Sequence, residues 1–157
     1  AAPSAVVVPA PSEAGAPAGA RIVVIPSRYR AYLEYECRAH GVPLAIAAAL
    51  IERESGWRPR AVGHNADGTE DHGLMQLNTA YLKEFSWRYR KGLPYDPFDP
   101  FDSMAIGIEH LALLRSRTAS WAQALVAYNA GLARTLRGKA PQSSLLYAQS
   151  ILATFPP

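Results

Sequence analysis

The feature that most constrains the fold is an apolar segment between a proline and a glycine, PLAIAAALIERESG at residues 43–56. Pro43 has the fixed φ that suits the first position of a helix, and Gly56 is the residue type that commonly follows a helix end. The spacing therefore predicts a helix. Its apolar run is expected to be buried, which requires other elements packed around it.

Similar signals predict further helices along the chain. A first helix is expected from Ser27 to a stop at Gly41. Asp102 or Ser103 is expected to cap a helix through MAIGIEHLALLRSR, and Ser120 to cap WAQALVAYNA. A last helix covers SSLLYAQSILATF. The sequence predicts an all-α domain with about five to seven helices around one core.

The remaining segments are predicted to be irregular. Residues 57–73, WRPRAVGHNADGTEDHG, form a long loop with turn residues, and its length suggests a function. The stretch LMQLNTAYLKEF is expected to form short helical pieces, with Asn78 as an N-cap. Residues 86–101, SWRYRKGLPYDPFDPF, contain three prolines and are predicted to be a second loop. The segment RIVVI at residues 21–25 is either a short strand or an extended tail.

Composition excludes several classes of protein. With 157 residues, of which 49% are hydrophobic, the chain fits one globular domain. The chain has a net charge of +3 but not the density of Lys and Arg that is typical of a nucleic-acid binder. It also contains no apolar run long enough to span a membrane. Residues 1–26 have the Ala/Pro-rich composition of a tail or linker, so the domain is predicted at residues 27–157. The only cysteine, Cys37, is expected to be a small buried hydrophobe.

The two glutamates of the apolar helix differ in direction. Each helical residue turns by about 100°, which places Glu54 in the middle of the apolar arc and Glu52 away from Leu50 and Ile51. Burial raises the pKa of a carboxyl, and a raised pKa is what a general acid needs near neutral pH. On the residues alone, Glu54 is either such an acid, a Glu paired with an Arg, or a helix-end residue that reaches solvent.

No metal site or cofactor is predicted. Alternate residues of NADGTED, residues 65–71, repeat as the ligands of an EF-hand do, but the glycine comes two positions early and the bidentate glutamate is missing. His64 and His72 form no metal-ligand pattern with their neighbours.

Three motifs occur in a specific order: ALIERESGW, GLMQLN and ALVAYNAG, followed by a helix that carries a tyrosine. This combination resembles the soluble lytic transglycosylase family from about Ser27 to the C-terminus. The resemblance implies a single lysozyme-like helical domain with a long loop over its cleft. The loop NADGTEDHGLMQLN is more similar to the small transglycosylases that accompany secretion, conjugation and pilus systems than to the large housekeeping enzymes.

The resemblance also implies a set of site residues around a catalytic Glu54. They are Ser55, which would hold the reacting sugar; Gly73, which would allow a close backbone approach; Met75, which would line the sugar site; Gln76, which would hydrogen-bond near the carboxyl or the substrate; Tyr128 and Asn129, which would flank Glu54; and Tyr147, which would reach the same cleft.

The implied reaction is cleavage of the β-1,4 bond between N-acetylmuramic acid and N-acetylglucosamine in peptidoglycan. Glu54 would act first as acid and then as base, and the C6 hydroxyl of the muramic acid would attack its own anomeric carbon to give a 1,6-anhydro end. Two alternatives stay open. A goose-type-like muramidase would use Asp67 or Asp71 as a second carboxylate to activate water, and a non-catalytic scaffold would only bind peptidoglycan.

The resemblance places the chain in the periplasm or cell envelope of a bacterium, with peptidoglycan glycan strands as substrate. Components of a secretion, conjugation or pilus machine are the implied partners. The chain is expected to be a monomer, with no nucleic acid and no membrane span.

Overall fold

The structure, a computed structural model, describes residues 21–154. These residues form seven α-helices, one 3-10 helix and three short strands. In chain order they are α1 Ser27–His40, α2 Leu44–Ser55, β1 Val62–His64, β2 Glu70–His72, β3 Leu77–Asn78, the 3-10 helix Thr79–Tyr81, α3 Leu82–Arg90, α4 Pro100–Ser116, α5 Trp121–Ala130, α6 Leu132–Leu136 and α7 Gln142–Leu152. The predicted all-α class is confirmed.

The ends of α1, α2 and α5 follow from the residues that signal them. Gly41 and Gly56 both adopt the left-handed conformation after a helix, with φ of 68° and 58°. Pro43 is the residue before α2 rather than its first residue. The Ser120 hydroxyl accepts a hydrogen bond from the backbone N–H of Gln123 at the start of α5, as the sequence predicts.

The predicted second loop is partly helical, which corrects two helix boundaries. Helix α3 continues through SWRYR to Arg90, so only residues 91–99, which hold two of the three prolines, are irregular. Helix α4 then begins at Pro100, and Asp99 is its N-cap, accepting from the N–H groups of Phe101 and Asp102. A proline has no N–H to lose at the first helical position, so Pro100 starts the helix that the sequence analysis began at Asp102 or Ser103.

A small antiparallel sheet in the order β1-β2-β3 follows α2, and the sequence analysis did not predict it. Strands β1 and β2 lie in the predicted long loop, and β3 lies in the stretch LMQLNTAYLKEF, which was expected to form short helical pieces. Val62 pairs with His72 and His64 with Glu70 across the hairpin. The Asp67 carboxylate accepts from the N–H of Thr69 at the hairpin tip, where Gly68 has a φ of +84°. The sheet makes the loop a defined wall beside the helices.

The core is built around α2. Six consecutive side chains, from Ile46 through Ile51, are fully buried, and α5 packs against both α4 and α7 while α1 packs against α4. Cys37 is also buried in this core, and burial raises the pKa of its thiol to about 12. Between residues 21 and 154, no helix combines the length and the apolar character that crossing a membrane requires.

The segment before α1 has no regular secondary structure, so RIVVI is not a strand. It is nevertheless attached to the domain, because Ile25 is fully buried in the core and Arg21 forms an ion pair with Glu52 at 2.8 Å. Residues 1–20 of the predicted tail lie outside the described residues.

Candidate active site

A cleft of about 740 Å³ lies between the small sheet, helix α3, the C-terminal half of α4 and the segment that joins α5 to α6. Six of the ten residues proposed from sequence line it: Glu54, Asp67, Asp71, Gln76, Tyr128 and Asn129. A smaller, shallower hollow of about 400 Å³ lies between α3 and the proline-rich loop and is lined by no carboxylate. The first cleft is therefore the candidate active site.

Glu54 is the next-to-last residue of α2 and faces this cleft. Its side chain keeps partial exposure to solvent, yet protein atoms crowd the carboxyl, and this burial raises its pKa to about 7. The charge of Asp71 also raises the pKa, while the hydrogen bond from Tyr147 and the charge of Arg53 lower it. Near neutral pH the carboxyl can thus hold a proton or release it, which is the property of a general acid and base.

Two tyrosines fix the surroundings of Glu54. The Tyr147 hydroxyl, on α7, donates a short hydrogen bond to Glu54 Oε1, and only 6% of Tyr147 is exposed. The Tyr128 hydroxyl, on α5, donates to the Met75 carbonyl oxygen at 2.7 Å. Burial raises the pKa of both hydroxyls well above the usual value of 10, and both therefore stay protonated as donors.

Gln76 lines the cleft but makes its hydrogen bonds to the backbone of the sheet region. Its Nε2 donates to the carbonyl oxygens of Ala61 at 3.2 Å and Gly73 at 3.0 Å. Its own backbone is left-handed, with a φ of 52°, a conformation that residues other than glycine rarely adopt. Gln76 therefore holds together the turn that carries the cleft wall, and its hydrogen bonds to Ala61 and Gly73 do not involve Glu54.

Ser55, Gly73 and Met75 are not among the residues that line the cleft. The resemblance had implied sugar contacts for Ser55 and Met75 and a close backbone approach at Gly73. Ser55 is 1% exposed, and its hydroxyl donates to the Ile51 carbonyl oxygen of its own helix at 3.2 Å. Met75 is fully buried and packs against Gly107 of α4. The close backbone approach at Gly73 is to the proline-rich loop, since a Cβ there would lie 1.9 Å from the Pro97 carbonyl oxygen.

Asp71 projects from β2 into the cleft in a defined position. Its Oδ1 accepts from Asn78 Nδ2 at 2.9 Å and its Oδ2 accepts from Asn65 Nδ2 at 3.0 Å. Asp67 accepts instead from the hydroxyl of Thr69 in the exposed hairpin turn, which lowers the pKa of the Asp67 carboxyl. Of the two carboxylates considered from sequence, Asp71 is the one whose charge acts on Glu54.

The polar residues of NADGTED bond to one another rather than converging on an ion position. Within residues 21–154, no group of three or more His, Cys, Asp or Glu side chains is arranged to hold a metal.

The last cleft-lining residue proposed from sequence is Asn129, on α5. Its Oδ1 accepts a hydrogen bond from the Ser144 hydroxyl on α7 at 2.6 Å, which joins these two helices beside the cleft.

The sequence analysis missed the part of the cleft floor that α4 supplies. His110, Leu113, Leu114 and Arg117 line the cleft at the spacing of one helix face. His110 Nδ1 shares a hydrogen bond with the Tyr89 hydroxyl at 2.6 Å, and burial lowers the pKa of His110 to about 4, so the ring is neutral. Apolar and polar residues share this face, and periodicity therefore indicated a helix without indicating that this face lines the cleft.

Comparison with solved structures identifies the fold. The chain is similar to an inactive mutant of the lytic transglycosylase Slt from Pseudomonas aeruginosa, with a TM-score of 0.66 and 23% identity over 82% of this chain and 23% of that one. It is also similar to the 70 kDa soluble lytic transglycosylase Slt70 from Escherichia coli, with a TM-score of 0.68 and 21% identity over 80% of this chain and 23% of that one. The lysozyme-like helical fold expected from the sequence is confirmed.

Sequence comparison adds relatives of higher identity. Invasion protein IagB of Salmonella typhimurium is 36% identical over 86 residues, which are 53% of this chain and 51% of IagB. Protein IpgF of Shigella flexneri is 36% identical over 44 residues, which are 28% of this chain and 29% of IpgF. The matched region thus spans about half the length of IagB and less than a third of the length of IpgF. The profile of the transglycosylase SLT domain matches residues 31–151, most of the described chain, and the chain therefore belongs to the transglycosylase SLT domain family.

Proposed function

We propose that this chain is a peptidoglycan lytic transglycosylase with Glu54 as its acid and base. The observation that carries the proposal is the Glu54 carboxyl, which faces a 740 Å³ cleft, accepts a hydrogen bond from Tyr147 and has a pKa raised to about 7 by burial. Membership of the SLT domain family supports the same reaction, as does the shared fold with two lytic transglycosylases.

In the proposed reaction, protonated Glu54 donates its proton to the glycosidic oxygen between N-acetylmuramic acid and N-acetylglucosamine. The bond from the muramic C1 to that oxygen breaks, and the N-acetylglucosamine leaves with a free C4 hydroxyl. The muramic C6 hydroxyl then attacks C1, and the Glu54 carboxylate takes the C6 hydroxyl proton. The C1–O6 bond closes the 1,6-anhydro ring, Glu54 is protonated again, and no water is consumed.

The neighbours of Glu54 have supporting roles in this proposal. Tyr147 orients the carboxyl through its hydrogen bond and stabilises the carboxylate that forms after the first proton transfer. Gln76, Tyr128 and Asn129 line the cleft and would contact the sugar on either side of the cleaved bond. Ser55, Gly73 and Met75 support the shape of the site from behind it.

A second candidate function is hydrolysis by a muramidase mechanism, with Asp71 as the base that activates water. The observation that favours it is the position of Asp71, which lines the same cleft and is fixed by two side-chain amides. Water would then add to C1, and the product would carry a reducing end in place of the anhydro ring.

Digestion of purified peptidoglycan, followed by mass spectrometry of the released muropeptides, distinguishes the two reactions. Anhydro and reducing ends differ by the mass of one water. The proposal expects anhydro ends from the unmutated chain and also from Asp71→Asn. Reducing ends that disappear in Asp71→Asn would contradict it in favour of the hydrolase, and no released product from any variant would favour a binding scaffold.

The substrate determines the proposed location and partners. Peptidoglycan strands lie in the bacterial periplasm and cell envelope, which is where we place the chain, as a monomer. Similarity to the invasion protein IagB supports the association with a secretion, conjugation or pilus machine that the sequence motifs imply.

A further inference from the structure

The part of the cleft that α4 and α6 line contains two arginines that the proposed reaction does not use. Arg117 follows the last residue of α4, Arg134 lies on α6, and both are exposed and line the cleft. Within residues 21–154, neither guanidinium forms an ion pair or a side-chain hydrogen bond. Arg88, which also lines the cleft, is different because it donates to Glu84 at 2.7 Å. Two cationic groups in the cleft are thus available to a ligand.

The face of α4 that lines the cleft extends from the proposed catalytic centre to Arg117. The His110 ring lies 5.8 Å from the ring of Tyr128, which is beside Glu54. From His110 the same face of α4 leads to Arg117, seven residues and about 10 Å further along the helix axis. A glycan strand bound at Glu54 could lie along this face of α4. A group on that strand that is remote from the cleaved bond would then reach Arg117.

The part of the cleft that the hairpin lines has the opposite charge. Asp67 and Asp71 line it on the hairpin, and Glu54 becomes negative during the proposed reaction. A substrate carboxylate placed there would be repelled, whereas one placed near Arg117 and Arg134 would be attracted. The charge distribution therefore selects one position for anionic groups on a bound strand.

We infer that Arg117 and Arg134 form a binding subsite for a carboxylate of the substrate, in the part of the cleft that α4 and α6 line. The inference rests on the proposed function, because the carboxylate is one that a peptidoglycan strand carries. Guanidinium groups are suited to this ligand, since they present several N–H donors in a planar fork that matches a carboxylate.

Two sources can supply the carboxylate. In a strand that carries peptide stems, the free carboxylates belong to the stem, because the lactyl carboxyl of the muramic acid forms the amide bond to the stem. In a strand stripped of stems by an amidase, the lactyl group itself is a free carboxylate. Both present the same chemistry to the arginines.

The test measures binding of soluble glycan strands, with and without stems, to the full chain carrying Glu54→Gln, so that no turnover is required. Arg117→Gln and Arg134→Gln are added singly and together. Arg137→Gln is the matched control, because Arg137 is an exposed arginine directly after α6 that does not line the cleft. Thermal unfolding of each variant checks that the fold is intact.

We expect each single change to raise Kd by up to about fivefold and the double change by about tenfold, an effect that shrinks as salt is added. If only stem-bearing strands bind more weakly, the ligand is the stem carboxylate. If only stripped strands bind more weakly, the ligand is the lactyl carboxylate. If both bind more weakly, the subsite accepts a carboxylate from either source. An unchanged Kd, or an equal effect of Arg137→Gln, would overturn the inference.

The result also separates this inference from the proposed function. Binding that depends on the two arginines, with no cleavage by the unmutated chain, would overturn the enzymatic proposal and leave the subsite in place. Cleavage by the unmutated chain, with a Kd that neither arginine substitution changes, would overturn the subsite and leave the enzymatic proposal in place. Absence of strand binding would overturn both.

Discussion

Tyr147 donates a hydrogen bond to Oε1 of Glu54 across ninety-three positions of sequence, and so joins α7 to the end of α2. Burial and the hydrogen bond act on the carboxyl in opposite directions, since burial raises the pKa of Glu54 and the bond from Tyr147 lowers it. The value of about 7 is the result of this balance. Removing one side of the balance should therefore shift the pH dependence of activity.

The change Tyr147→Phe tests this balance. It keeps the buried ring and removes the donor that favours the Glu54 carboxylate, and we therefore expect the pKa of Glu54 to rise. The acid would stay protonated to higher pH, and the alkaline limb of the kcat/KM profile on glycan strands would move upward. Tyr35→Phe, at an exposed tyrosine of α1, is the control and should leave the profile unchanged. A limb that stays in place or moves to lower pH in Tyr147→Phe would count against the balance.

Stability should depend on pH through the same carboxyl. The folded pKa of Glu54 is about 7 against an ordinary value of 4.5, so between these values the folded state holds a proton that the unfolded state has lost. Stability therefore falls as the pH rises through this window, by as much as about 3 kcal/mol, less the part that water in the cleft screens. Glu54→Gln lacks this loss.

Urea denaturation of both proteins at pH 4 and pH 8 measures the effect. From pH 4 to pH 8, the free energy of unfolding of the unmutated chain should fall relative to that of Glu54→Gln. If the two proteins differ in free energy of unfolding by the same amount at pH 4 and at pH 8, the carboxyl is not desolvated in the folded state.

Gly73→Ala should destabilise the fold strongly. The added Cβ would lie 1.9 Å from the Pro97 carbonyl oxygen, and the φ of +81° is unfavourable for alanine. Gly68→Ala is the matched control, since its φ of +84° is similar but no atom lies within 4 Å of the added carbon. We expect a loss of about 1 kcal/mol for Gly68→Ala and several times as much for Gly73→Ala, measured by denaturant unfolding. Similar losses for the two variants would show that the loop at Pro97 yields easily.

Substitutions of Met75 distinguish a core side chain from one that contacts sugar. Because Met75 is fully buried against Gly107, Met75→Ala should lower the free energy of unfolding by about 2–5 kcal/mol. Met75→Leu keeps the volume, so it should cost less than about 1.5 kcal/mol and leave KM for glycan strands nearly unchanged. A stable Met75→Leu with a much higher KM would place this side chain in contact with the substrate.

The sequence indicated the direction of the Glu54 side chain because helical periodicity fixes the direction in which each side chain points. Pro43 and Gly56 delimit α2, and a position in the middle of its apolar arc is turned toward the interior in any fold that buries the helix. The contact with Tyr147 was beyond periodicity, because it depends on how α7 packs beside α2. It entered the sequence analysis only through the resemblance to a family.

The errors in the sequence analysis also have physical reasons. Strands β1, β2 and β3 have two or three residues each, too few for an alternating pattern to be recognised. The role expected for Met75 came only from the family resemblance, and its burial against Gly107 depends on how α4 packs, which spacing does not reveal. Pro100 was interpreted as part of a loop, although a proline after a capping aspartate is equally a helix start.

The most direct test of the central claim is turnover of glycan strands by Glu54→Gln, measured beside the binding of the same strands. Glutamine keeps the shape of the side chain and an acceptor for Tyr147, but it cannot donate a proton to the glycosidic oxygen. If Glu54 is the acid, cleavage should fall by at least about a hundredfold while the Kd for strands stays within about threefold. Cleavage within about tenfold of the unmutated rate would contradict the account, because another group would then be supplying the proton.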